Sequence, residues 1–191
     1  MKAEEYQKIY AWFQENPIAL WCFRRLYTGC TSLVIVAYLL LFSLKAQTCF
    51  FGIALMQMID SVESATKYKA DLLAILVVPA AVFLLGTVVR AIINAPRPYE
   101  QEGFTPLIYK NRSGHSCPSR HVLSVMVIAV VWWLTRPSIS ICLLLLAVVI
   151  AALRVLAGVH SVRDVVAGLL FGGIGGILGL VLFYVAFYMV Y

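Results

Sequence analysis

Residues 118–164 read PSRHVLSVMVIAVVWWLTRPSISICLLLLAVVIAALRVLAGVHSVRD. Two apolar runs, 122–135 and 138–153, flank Arg136-Pro137, a pair that suits a tight turn between helices. The runs hold 14 and 16 residues, somewhat under the ~20 of a full span, and they pair as a hairpin within a membrane bundle. About 15 residues down and 15 back, at ~1.5 Å each, return His160 to the level of His121. Two basic clusters far apart in the chain, Pro118-Ser119-Arg120-His121 and Arg154-x5-His160-x3-Asp164, are therefore expected on one face of a membrane bundle.

The rest of the chain extends this plan. Of 191 residues 62% are hydrophobic and only 13% charged, where soluble domains carry about 25% charge. The length allows one membrane-embedded domain over 1–191. Tyr6, Ile9, Tyr10 and Phe13 recur at helical spacing among charged residues, which predicts an interfacial helix over 1–16 ended near Asn16-Pro17. Spans are expected at about 27–44, 48–59 (short for a crossing), 71–93, 122–135, 138–153 and 164–190, with a polar link over 60–69 and a polar loop over 94–118. The fold class is thus all-α, a polytopic bundle of six transmembrane helices plus the interfacial one. Gly168/Gly172, Gly172/Gly176 and Gly175/Gly179 in the last span fit small-xxx-small packing and not a phosphate loop. Glu4 and Glu5 argue against a cleavable signal peptide.

Charge sets the orientation and the partner class. With six spans, Arg24/Arg25, Lys67/Lys69 and Arg136 share a face, which the positive-inside rule makes cytoplasmic. The basic clusters then lie on the outer face of the cytoplasmic membrane. The net charge is +6, and seven of fifteen cations (Arg90, Arg97, Lys110, Arg112, Arg120, Arg154, Arg163) lie in or beside the clusters. Such concentration reads as a pocket for an anionic substrate, not as the broad exposed stripe that nucleic acid requires. The five cysteines show no metal-ligand spacing, and Cys117 alone sits in the loop beside Ser119 and His121.

The clusters contain the parts of a phosphoryl-transfer site. His160 and Asp164 are four apart, so on a helix they share a face, and the carboxylate fixes the imidazole tautomer. Their bland alternative is a pair that pins a helix end. His121 follows Pro118-Ser119 at a helix start, where free N–H groups bind anions and a histidine can protonate a leaving oxygen. Arg90, Arg97 and Arg154 are forks that match phosphate oxygens. With no Asp, Glu or His cluster of metal geometry, neutralisation falls to arginine, and neither metal nor cofactor is expected. Ser113-Gly114-His115 resembles half of the second cluster but opens no apolar helix, so His121 is preferred to His115.

At these residues the chain resembles the type 2 phosphatidic acid phosphatases, membrane relatives of the vanadium haloperoxidases. The family's K-x6-R-P is matched by Arg90 to Pro98 with Arg for Lys, and its P-S-G-H by Pro118 to His121 with Arg120 for Gly. Its S-R-x5-H-x3-D is matched by Leu153 to Asp164 with Leu153 for Ser. The resemblance implies a phosphohistidine mechanism. His160 attacks phosphorus, Asp164 orients it, His121 protonates the leaving group, and Arg90, Arg97, Ser119, Arg120 and Arg154 hold the phosphate. The implied substrate is a lipid phosphate or diphosphate monoester in the bilayer: undecaprenyl diphosphate, phosphatidylglycerophosphate or phosphatidic acid. Competing readings are a non-catalytic lipid-phosphate binding or transport protein, and a lipid phosphotransferase. Oligomeric state is not legible.

Overall fold

The computed structural model describes residues 3–58 and 62–190, and its long elements are all helical. They are α1 (Ala3–Glu15), α2 (Pro17–Met58), α3 (Val62–Ile93), α4 (Arg120–Trp133), α5 (Pro137–Leu156) and α6 (Val162–Val190), with a 3-10 turn at Pro98–Glu100. Four segments, Pro17–Ala54, Thr66–Glu100, Pro137–Leu156 and Val162–Val190, are long and apolar enough to cross a membrane, and α4 is a shorter apolar helix. The protein is a polytopic all-α membrane bundle.

One expectation is corrected. The spans expected at 27–44 and 48–59 form a single helix, α2, so the described residues hold five long helices after α1 where six spans were expected. Lys45, Gln47 and Thr48 interrupt the hydropathy there, but none of them breaks a backbone helix. Lys45 meets Asp71 of α3 at 3.6 Å, and the Thr48 hydroxyl bonds the Lys45 carbonyl at 2.9 Å. At ~1.5 Å per residue α2 is about 60 Å long, twice a hydrocarbon core of ~30 Å, so it must project beyond the apolar layer or tilt steeply. The polar link expected over 60–69 is helical from Val62 onward, and residues 59–61 lie outside the described residues.

Neighbouring contacts give the directions. Tyr38 of α2 bonds the Ile75 carbonyl at 2.6 Å while Lys45 meets Asp71, so α2 and α3 are antiparallel. Helices α4 and α6 run parallel, with Ser119 against Gly168 and Leu123 against Gly172. Their backbones approach so closely that a Cβ on Gly172 would stand 2.7 Å from the Leu123 carbonyl oxygen. The glycine stripe of α6 therefore does what its spacing suggested. Helix α4 lies at the centre, with Val122, Leu123, Val125, Val127, Ala129 and Val131 at 2% exposure or less.

These directions bring the α3 end at Arg90, the α4 start at Arg120, the α5 end at Arg154 and the α6 start at Asp164 to one face. A second correction follows. Tyr27 of α2 bonds Arg154, so the nearby Arg24 and Arg25 sit on the site's face, opposite Lys67, Lys69 and Arg136. The merging of two expected spans into one reverses their side. Helix α1 also packs on this face. The buried Tyr6 hydroxyl donates to the Leu156 carbonyl at 2.9 Å and accepts from the Leu107 N–H at 3.0 Å.

Candidate active site

The turn between α5 and α6 sets the first half of the site. Gly158 has φ of 73°, and a side chain there would strike Tyr6, Phe104 and Pro106. The turn leaves His160 just before α6, with Asp164 in the first helical turn. The two thus pair across a helix start and not along one helical face. Their separation, His160 Nδ1 to Asp164 Oδ2, is 3.7 Å. The Ser116 hydroxyl bridges them, donating to Asp164 Oδ2 at 2.5 Å and standing 3.3 Å from His160 Nδ1. The same carboxylate oxygen accepts the Ser161 N–H at 2.7 Å. Nδ1 thus faces the Ser116–Asp164 pair, which leaves Nε2 for the cavity that His160 lines. Burial lowers the His160 pKa below the usual 6.5, although Asp164 pulls the other way. A neutral imidazole is the form a nucleophile needs.

Arginines build the second half. Arg90 Nη1 donates to the carbonyls of Ser116 (3.2 Å) and Pro118 (2.7 Å), and Arg97 Nε to that of Gly114 (3.0 Å). Each guanidinium spends part of its fork holding the 114–118 loop and keeps the remaining N–H groups. Arg154 donates to the Tyr27 hydroxyl and lies 4.5 Å over the same ring, a cation–π contact. Lys110 lies 5.6 Å from that ring. A small cavity is lined by Arg90, Arg97, Lys110, Arg112, Arg120, His121, Arg154, Val159 and His160. Six cations and no carboxylate face it, so its chemistry is that of an anion receptor. Burial and the neighbouring arginines, Arg154 first, lower the Lys110 pKa.

Both candidate histidines, His121 and His160, line this cavity, and His115 does not. His115 instead borders an adjacent cavity with Thr87, Arg90, Arg97, Arg112, Ser113 and Arg120, and its ring nitrogen approaches the Arg90 carbonyl at 3.4 Å. Ser119 is the N-cap of α4, without a side-chain cap, and its N–H donates to the Asp164 carbonyl at 2.9 Å. Its hydroxyl is wholly buried, has no hydrogen-bond partner among the described residues and is not part of the cavity wall. Buried hydroxyls are normally bonded, and this one would have to turn toward the cavity to meet a ligand there.

Two residues of the constellation were not singled out from sequence. Ser116 had a signal, since it stands two residues before Pro118 in the same loop. Tyr27 had none, because an aromatic in an apolar helix is ordinarily packing.

His121 and Arg120 also close one end of a second space. A trough of 440 Å³ runs between α2, α3, α4 and α5, lined by Val34, Ile35, Phe83, Ser124, Val125 and Ile150. A larger groove of 660 Å³ between Met126, Trp133, Leu180 and Val185 lies at the far half of α4 and α6. Its hydroxyls, Ser140 and Tyr184, are already bonded to Ala129 and Asp71, so no reactive group faces it.

A helical membrane bundle whose basic cavity, bearing His121 and His160, meets an apolar trough at His121 has the form of a receptor for the anionic head of an apolar molecule. The chain belongs to the PAP2 superfamily, whose model matches residues 71–189. Its fold is similar to that of the transmembrane PAP2-type phosphatidylglycerolphosphate phosphatase of Bacillus subtilis, at 23% identity and a TM-score of 0.59, covering 91% of this chain and 90% of that one. It also matches LpxE of Aquifex aeolicus at 26% identity and a TM-score of 0.45, covering 82% and 93%. No curated protein sequence matches.

Proposed function

We propose that the protein is an integral-membrane lipid phosphatase that hydrolyses a phosphate or diphosphate monoester of a lipid through a phosphohistidine, without a metal. The observation that carries this reading is the junction at His121, which lines both the cationic cavity and the apolar trough. A lipid chain in the trough would leave its phosphate among the arginines, with the scissile oxygen beside His121. His160 Nε2 attacks phosphorus as the P–O bond to the leaving group breaks, and His121 gives that oxygen a proton. Water then attacks the phosphohistidine, returning the imidazole and releasing phosphate, with His121 taking the proton from water. Arg90, Arg97, Arg120 and Arg154 hold the equatorial oxygens. The open α4 N-terminus supplies further donors, and the Ser119 hydroxyl would join them on turning toward the cavity.

Candidate lipids are undecaprenyl diphosphate, phosphatidylglycerophosphate and phosphatidic acid. Arg120 adds a cation beyond a single phosphate's need and favours a diphosphate or a glycerophosphate head. The deciding experiment is phosphate release from all three by detergent-solubilised protein in EDTA. Release from one, lost in His160→Ala, is the expected result. A folded sample that binds these lipids and releases nothing would overturn the phosphatase reading in favour of a binding or transport protein. Phosphate passed to an added alcohol in preference to water would indicate a phosphotransferase.

The pH profile offers a further check. His160 must be neutral to attack, and its folded-state pKa is lowered, so the nucleophile stays competent to a lower pH. The acid limb of kcat/KM for the free enzyme is expected below 6.5, the ordinary histidine value. A limb above that value would contradict a buried, neutral His160.

For orientation, we retain the outer face of the cytoplasmic membrane for the site. Lys67, Lys69 and Arg136 on the opposite face support it. Arg24 and Arg25, now on the site's face, no longer do. A membrane-impermeant thiol reagent applied to intact cells, with a cysteine replacing the exposed Tyr109 in a cysteine-free background, tests this side directly. Labelling only after permeabilisation would place the site inside.

A further inference from the structure

On the face opposite the catalytic cavity, about 20 Å away along α4, a second polar cavity lies between α2, the start of α3 and the α4–α5 turn. It is lined by Lys45, Thr48, Tyr68, Trp132, Thr135, Arg136 and Ser138, with Leu41, Leu44 and Ile139. We propose that this cavity binds the head group of an anionic phospholipid from the leaflet opposite the active site.

Three independent features point to an anion. Arg136 is exposed at the rim and makes no ion pair among the described residues. Lys45 adds charge, shared in part with Asp71 at 3.6 Å. The cavity also receives the start of α5, a 20-residue helix that begins Pro137-Ser138-Ile139 with no side-chain cap. Its Ser140 N–H bonds the Arg136 carbonyl, whereas the N–H groups of Ser138 and Ile139 precede any intrahelical acceptor. The third feature is Trp132. It is 3% exposed, its indole N–H has no hydrogen-bond partner among the described residues, and it forms part of this wall. A buried indole N–H needs an acceptor, and a small turn of the ring toward this cavity would let a phosphate oxygen supply one.

Position selects a lipid over a soluble anion. The cavity sits where α4 and α5 turn at the end of the apolar layer, between membrane-crossing helices. Leu44 in its wall is 58% exposed, with Leu41 and Ile139 beside it, so the mouth is greasy on one side and basic on the other. That is the surface an acyl chain and an anionic head occupy together. The cavity joins the middle of α2 to the α4–α5 turn. Helix α2 also carries Tyr27, which holds Arg154, so occupancy would brace the helix that completes the catalytic cradle.

The test uses the full-length protein in a neutral detergent, titrated with short-chain phosphatidylglycerol, phosphatidylcholine or inorganic phosphate and followed by melting temperature. Phosphatidylglycerol is expected to stabilise the wild type at lower concentration than phosphatidylcholine. Arg136→Gln should raise the phosphatidylglycerol midpoint about fivefold, the loss of one cation at a membrane surface. Trp132→Phe, which keeps a ring and removes the N–H, should raise it similarly. Binding at the catalytic cavity would be unaffected by Arg136→Gln, because that residue lies on the other face. Equal midpoints for the wild type and Arg136→Gln, or for the two lipids, would overturn the proposal. An Arg136-dependent shift with inorganic phosphate as large as with phosphatidylglycerol would overturn the lipid as occupant.

Discussion

His160→Ala is expected to lower kcat by at least about 10⁴-fold while lipid binding persists. The side chain is 4% exposed, and the Ser116–Asp164 pair faces its Nδ1. The only other imidazole lining the cationic cavity is that of His121, which would then have to act as both nucleophile and acid. The measurement is single-turnover phosphate release, with trapping of an acid-labile phosphohistidine in the wild type. Alanine leaves the arginines in place, so affinity for a lipid phosphate should change by far less than the rate. A variant that still turns over within tenfold of the wild type would remove the covalent mechanism.

The second large effect is expected at His121. As the acid for the leaving oxygen it should be worth about 10²–10⁴-fold, so His121→Ala falls by that range in kcat. His115 is the control, since it borders the neighbouring cavity and stays out of the catalytic one. It has φ of 48°, so Asn, which tolerates left-handed backbone, is the appropriate replacement. His115→Asn is expected to keep activity within about threefold, as a surface change away from the chemistry does. The opposite pattern would mean that His115 is the proton donor. A substrate with a good leaving group separates chemistry from folding, because it needs no acid and should rescue His121→Ala but not His160→Ala.

Smaller effects follow from the two unanticipated residues. Ser116→Ala would loosen the Asp164 carboxylate that Ser116 holds at 2.5 Å, and Tyr27→Phe would free one N–H of Arg154. Ser116→Ala should act on kcat through His160. Tyr27→Phe should act on KM through the cradle, and the split is readable in steady-state kinetics.

The legible and illegible parts of the chain differ for physical reasons. The α4–α5 hairpin was legible because two apolar runs flank Arg136-Pro137, and a helix break at such a pair is local chemistry. The glycine stripe of α6 was legible because close helix approach demands small residues at a fixed period. The continuity of α2 was not. Hydropathy dips at Lys45 and Thr48, but helix backbones end at Gly, Pro and caps, and the polar groups were satisfied by Asp71 and by the preceding carbonyl. That one misreading also moved Arg24 and Arg25 to the wrong face, since every change in span number reverses what precedes it.

Sequence by itself determined an all-helical membrane protein and the gathering of the basic clusters, His121 among them, on one face. Those follow from residue type and from periods of a few residues, which are properties of a local segment. Tertiary structure alone decided that Ser116 bridges the His160–Asp164 pair, that Tyr27 holds Arg154, and that Ser119 buries its hydroxyl unpartnered. It also decided that a trough meets the cavity at His121. Hydrogen bonds act within about 3 Å, and groups far apart in the chain come that close only when helices pack.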